Sequence, residues 1–283
     1  MVTVRTAARA GVFYEGTPTA LRAQIEWAFL HPQGPGRLPA VDPGGPRRLV
    51  GLVVPHAGYI YSGPVAAHAY AALAADGAPD LVVIIGPNHY GLGPMVAVSQ
   101  VRAWETPLGS MTVEREVAQA IVDALPWPAI GETAHEREHS LEVQLPFLQY
   151  LYGDRVRLVA IAVGHLPLSA AELLGRAIAT AVSGRDAVVV ASTDLSHYES
   201  QRSALAKDRL ALAAIAEGDC ARLLQLAGTE VSMCGAGPVA AMLTAGRELG
   251  AKTVRLLKHA TSGDVAGDMR QVVGYAALAF ARE

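Results

Sequence analysis

The chain has 283 residues, 51% of them hydrophobic and 17% charged, with a net charge of −3. That leaves ample apolar material for a buried core, in one large α/β domain or two small ones. It gives no electrostatic ground for a nucleic-acid or anionic-membrane partner, no window reaches the roughly 18–20 apolar residues of a membrane span, and the two cysteines, Cys220 and Cys234, do not make a disulfide framework.

The amino-terminal stretch MVTVRTAARAGVFYEG has too short an apolar run for a secretory signal, and Glu15 follows at once, so the expected location is the cytoplasm. Thr17–Leu30 reads as a helix with Pro18 near its start, where proline is tolerated. His31–Arg48 is a Pro/Gly-rich loop. Strand and helix patterns continue on both sides of it without a break in composition, which argues for one domain over 1–283. A strand (Arg48–His56), a helix (Gly63–Ala75), a strand (Asp80–His89) and a helix (Val113–Leu125) follow. The segment from Glu138 to Pro146 reads as helical. Then come a strand (Val156–Gly164), a helix (Leu168–Val182), a strand (Asp186–Asp194) and helices over Ala204–Gly218 and Gly237–Gly250. KTVRLLKHATSG and QVVGYAALAFA read as two last strands. The apolar runs are continuous and β-branched rather than alternating, as expected when helices cover both faces. The expected fold class is therefore α/β: one layered domain whose central sheet, largely parallel or mixed, is flanked by helices. No internal repeat is present.

Three of the four clearest strands end in chemistry-bearing residues. His56 follows Val53-Val54-Pro55, His89 follows Ile85-Gly86-Pro87-Asn88, and Asp194 and His197 follow Val190-Ala191-Ser192-Thr193. If these strands are parallel neighbours, their carboxyl ends meet at one crevice. Three imidazoles and a carboxylate there suit a transition metal or acid–base chemistry. Cys234 precedes a glycine turn and a helix start, where the helix dipole favours a thiolate; taken alone it is equally a small buried hydrophobe. His139 and Glu142, three apart, are expected to share a helix face, more readily as a structural contact than as a metal pair. His31, His68, His135, His165 and His259 are read as structural or exposed. No GxxxxGK[ST], GxGxxG or GxSxG occurs, so neither a phosphate loop nor a serine-hydrolase elbow is supported.

The segments PHAGYIYSG, GPNH, TPLGSMTV, EHSLEVQLPFL, STDLSHY, CGAGP and SGDVAGDMRQVVGYAAL run in this order along nearly the whole chain. Together they resemble the Memo family, whose prokaryotic members are system protein B of the AmmeMemoRadiSam group. The resemblance implies a fold similar to class III extradiol dioxygenases. It implies metal ligands at His56, His89 and Cys234 for iron or copper, with Asp194 and His197 lining the same pocket. It also implies AMMECR1-type and radical-SAM proteins as partners by family context. Animal members of the family are redox-active effectors that bind phosphotyrosine peptides. Where the family often carries tryptophan in its N-terminal segment this chain has Phe13, which keeps an aromatic wall but lacks an indole N–H. The resulting expectation is a non-haem metal-dependent oxidoreductase, dioxygenase-like, acting on a small molecule or peptide. His197 would be its general base or proton donor and Asp194 the residue that orients it. A metal- or peptide-binding effector without catalysis is the alternative, and a metal-dependent hydrolase ranks last.

Overall fold

The computed structural model describes residues 4–283. Its strands are β1 (Val4–Arg5), β2 (Leu49–Val54), β3 (Leu81–Pro87), β4 (Val96–Val98), β5 (Ala103–Thr106), β6 (Gly109–Thr112), β7 (Arg157–Val163), β8 (Ala187–Ser192), β9 (His197–Glu199), β10 (Thr253–Thr261) and β11 (Val272–Ala281). The α-helices are α1 (Pro18–Leu30), α2 (Tyr59–Asp76), α3 (Arg115–Asp123), α4 (Leu145–Tyr152), α5 (Leu168–Ala181), α6 (Gln201–Glu217), α7 (Cys220–Thr229), α8 (Ala236–Glu248) and α9 (Ser262–Ala266).

The main sheet runs β10-β11-β2-β8-β3-β7-β4, with β9 attached to β11; β1, β5 and β6 form a small second sheet. The four central strands β2, β8, β3 and β7 are parallel neighbours. The flanking strands β11 and β4 are antiparallel to them, so the sheet is mixed. Alternation along each central strand sends side chains to two separate cores. Val53, Val83 and Ile85 pack on the side of α5 and α8. Leu52, Val54, Val82 and Ile84 pack on the side of α1, α2 and α4. Both faces are dry, which is why these strands read as unbroken apolar runs.

Three local differences from the sequence reading have physical causes. Helix α2 starts at Tyr59 rather than Gly63, because the N–H groups of Tyr61 and Ser62 already bond to the Gly58 carbonyl, 2.8 and 3.0 Å away. Helix α7, capped by the Asp219 side chain, is an extra element. The segment from Glu138 is not helical until Leu145, and a 3₁₀ turn over Glu142–Gln144 precedes it. There the Glu138 carboxylate takes the N–H groups of His139 and Ser140, at 2.8 and 2.9 Å, and holds the chain out of the helix. His139 and Glu142 consequently point apart instead of sharing a face. Among the described residues no helix is long and apolar enough to cross a membrane.

Candidate metal centre

Parallel pairing of β2, β8 and β3 brings their carboxyl ends side by side, and the loops that follow deliver the polar residues. His56 leaves β2 buried. His89 leaves β3 open to solvent. Cys234 lies in the loop before α8. The ligand-capable atoms of these three residues lie within 4.8 Å of one another, and the Cys234 Sγ is 3.2 Å from His56 Nε2. The thiol loop presses so closely on the end of β8 that only glycine fits after the cysteine. A Cβ on Gly235 would meet the Thr193 Cβ at 2.4 Å and the Ser192 carbonyl at 2.6 Å.

The hydrogen-bond network fixes how the two imidazoles are presented. The Ser192 hydroxyl donates to the Ser140 carbonyl at 2.6 Å, so it accepts from His56 Nδ1 at 2.9 Å. Gln144 donates to the same hydroxyl at 2.8 Å and to the Pro55 carbonyl at 3.0 Å. His56 therefore carries its proton on Nδ1 and turns a lone pair on Nε2 toward the thiol. His89 Nδ1 bonds the Glu138 carboxylate at 2.9 Å, which likewise frees Nε2. Burial, then the neighbouring His89, hold His56 well below the usual histidine range. It is thus neutral, the form that ligates metals.

Two residues at this site escape the sequence reading. Glu138 is fully buried and also accepts from the His89 N–H at 2.6 Å. Burial pushes its carboxyl up. The His89 hydrogen bond and charge, the Ser140 N–H and His139 outweigh that and hold it well below the usual carboxylate range. The second is His139, whose ring stacks on His89 at 4.6 Å and meets His56 edge-on at 5.4 Å. Burial, and then the closeness of a second titratable imidazole in His56, lower its pKa to about 3. His89, Glu138 and His139 also form a second set with metal-ligand spacing. The signal was present in the sequence as a glutamate directly preceding a histidine, but the helical reading put His139 on a face with Glu142. Glu142 instead ties down the amino-terminal segment. It pairs with Arg5, accepts the N–H groups of Ala8 and Arg9 at 3.0 and 2.8 Å, and accepts the Tyr14 hydroxyl at 2.6 Å. This seats Phe13 against His139, ring centroids 4.4 Å apart.

The remaining expected residues occupy the margin. Asp194 is buried and accepts the His56 N–H at 2.8 Å; burial raises its pKa, against the pull of that bond and of His197. His197 is not oriented by Asp194. Its Nδ1 bonds the Ser232 carbonyl at 2.8 Å and its N–H the Ser232 hydroxyl at 2.7 Å. The following residue, Tyr198, is held at φ 57°, a strained conformation for a bulky side chain. The expectation for Cys234 is also corrected. Burial and the Asp194 carboxylate push its thiol up to about 12 despite the nearby helix start. A helix dipole does not by itself ionise this sulfur; a coordinated cation would.

The fold and this edge define an α/β protein with a candidate His-His-Cys metal centre. A sequence profile described as "Memo-like protein" matches residues 5–279. A MEMO1 family protein of Methanopyrus kandleri is 49% identical over 281 residues, covering 98% of this chain and 99% of its own. One from Ignicoccus hospitalis is 49% identical, covering 98% of both chains. The chain belongs to the Memo family. Among solved structures, an uncharacterized Escherichia coli K12 protein matches with a TM-score of 0.53 at 15% identity, over 82% of this chain and 99% of its own, a likeness of fold alone.

Proposed function

We propose that this chain is a metal-dependent oxidoreductase whose metal, iron or copper, is held by His56 Nε2, His89 Nε2 and Cys234 Sγ. One observation carries the reading: three donors from three different loops fall within 4.8 Å. The Nδ1 atom of each imidazole is already committed to Ser192 or Glu138. A thiolate with two neutral imidazoles suits iron or copper, and also zinc. When bound, iron or copper supplies one-electron and O₂ chemistry. The chain's own residues do the rest. Glu138 and Ser192 fix the ring orientations, Phe13 walls the pocket, and His197 offers a free Nε2 at the rim where a proton can be taken or given. A relation to class III extradiol dioxygenases, and AMMECR1-type and radical-SAM proteins as partners, belong to the same proposal and rest on the motif resemblance.

Elemental analysis after anaerobic purification tests it. The expected result is near-stoichiometric iron or copper in the wild type, lost in both Cys234→Ser and His89→Ala. Full occupancy in either variant, or no metal in the wild type after loading with either ion, would overturn it. A peptide-binding role without catalysis is the second reading. The exposed Ile60 and Tyr61 at the start of α2, Tyr90 and Leu92 after β3, and Tyr198 in β9 favour it. Metal-loaded protein that never consumes O₂, yet binds peptide, would select that reading.

A further inference from the structure

We infer that the lip of the site carries an anion clamp, formed by Arg9 and Arg137 around Tyr90, that seats the carboxylate or phosphate group of a small anionic substrate. Tyr90 directly follows His89, and both guanidinium groups lie on its ring, with Cζ 5.4 Å (Arg9) and 4.9 Å (Arg137) from the centroid. The two cations are tied together as well. Arg9 donates to the Arg137 carbonyl through Nε at 3.0 Å and Nη2 at 2.6 Å, and to the Tyr90 hydroxyl.

Two like charges gathered on one ring repel, and an anion shared between them relieves that repulsion. Among the described residues neither guanidinium has a carboxylate partner. Of the three acids of this segment, Glu138 is turned onto the histidines and Glu142 onto Arg5 and Tyr14, and Glu136 is exposed and makes no ion pair with either guanidinium. Arg9 keeps Nη1 uncommitted, and the whole Arg137 fork has no hydrogen-bond acceptor among the described residues. A planar fork of N–H donors matches the oxygens of a carboxylate or a phosphate. Tyr90 and Phe13, whose ring centroid is 6.0 Å from Arg9 Cζ, supply flat apolar surface for the body of the ligand. Phe13 in turn touches His139 at 4.4 Å, so a molecule anchored on the arginines extends over the histidine cluster.

That the anion is a substrate rests on the oxidoreductase reading; the clamp itself is tested without metal. Calorimetric titration of the metal-free protein at low salt with benzoate, phenyl phosphate and benzyl alcohol compares two anions with a neutral control. At least one anion is expected to bind the wild type, more tightly than the alcohol. The better of the two tells carboxylate from phosphate. In Arg137→Gln that affinity is expected to fall about tenfold, the usual size of a charge-assisted contact. The Arg137 side chain lies over the Tyr90 ring and makes no hydrogen bond or ion pair among the described residues, so this variant should melt with the wild type; Arg9→Gln should act in the same direction. Neither anion binding by about 10 mM (a Kd range weaker than any selective contact), anions binding no better than the alcohol, or affinity within about twofold of wild type in Arg137→Gln would overturn the clamp. Metal content of the same preparations reports separately on the metal reading. Loss of that reading with anion binding intact leaves an anion-binding pocket, and retained metal with no anion binding removes only the clamp.

Discussion

The two edges of the central sheet handle polar groups in opposite ways. At the amino edge, charges are closed on one another near the surface. Arg47 bridges Asp76 and Asp186 at 3.1 and 2.6 Å, and Arg157 meets Glu114 at 3.4 Å. At the carboxyl edge the supporting groups are buried, and the atoms they present face one another. Glu138, Glu142, Gln144 and Ser192 are all at or below 1% exposure, and the Cys234 sulfur meets His56 Nε2 at 3.2 Å beside His89. The difference shows where a fold of this kind invests in a site. The reactive atoms are few, and most of the buried polar structure exists to aim them.

This contrast can be broken first at Glu142. Glu142→Ala strands the Arg5 guanidinium, which is 6% exposed, and releases three other donors. Loss of one partner from a buried pair costs about 3–5 kcal/mol, and urea denaturation should show it. An unchanged midpoint would mean that the carboxyl edge is no more strongly braced than the amino edge. A smaller effect belongs to Glu138→Gln, which keeps the shape but turns an amide NH2 against donors that the carboxylate accepted. Metal affinity should fall about 10- to 100-fold, as for other groups that orient metal-bound histidines, with a loss of stability smaller than that of Glu142→Ala. Equal affinity in competition with a chelator would remove Glu138 from the site. The smallest effect is expected at the other edge. Arg157→Ala removes a surface pair whose arginine is 54% exposed. It should cost less than about 1 kcal/mol and leave metal content untouched; a loss of metal would show that the two edges are coupled.

The buried strands were legible because a strand covered on both faces must be apolar throughout, and that pattern survives in a single sequence. So was the placing of His56 and His89 at strand ends, since the apolar run stops just before each. The order of the sheet was not legible, because pairing between β2 and β8 is settled by packing across the whole domain. Glu138 and His139 were obscured for a local reason. A spacing of three suggests a helix face, yet one carboxylate capturing successive N–H groups makes this stretch a turn, and the α-helix starts only at Leu145. The true partner of His197 was hidden because Ser232 lies 35 residues further along the chain and contributes a backbone carbonyl, which no residue type announces.

The separation of the donors along the chain carries a last consequence. His56 and Cys234 are 178 residues apart, on either side of most of the sheet-forming strands. They meet only after the long-range strand pairings have closed, which are the slow contacts of a topology like this one. Under the proposed ligation, a metal that needs both would bind the folded chain and not the unfolded one, and would add its binding free energy to the stability of the fold.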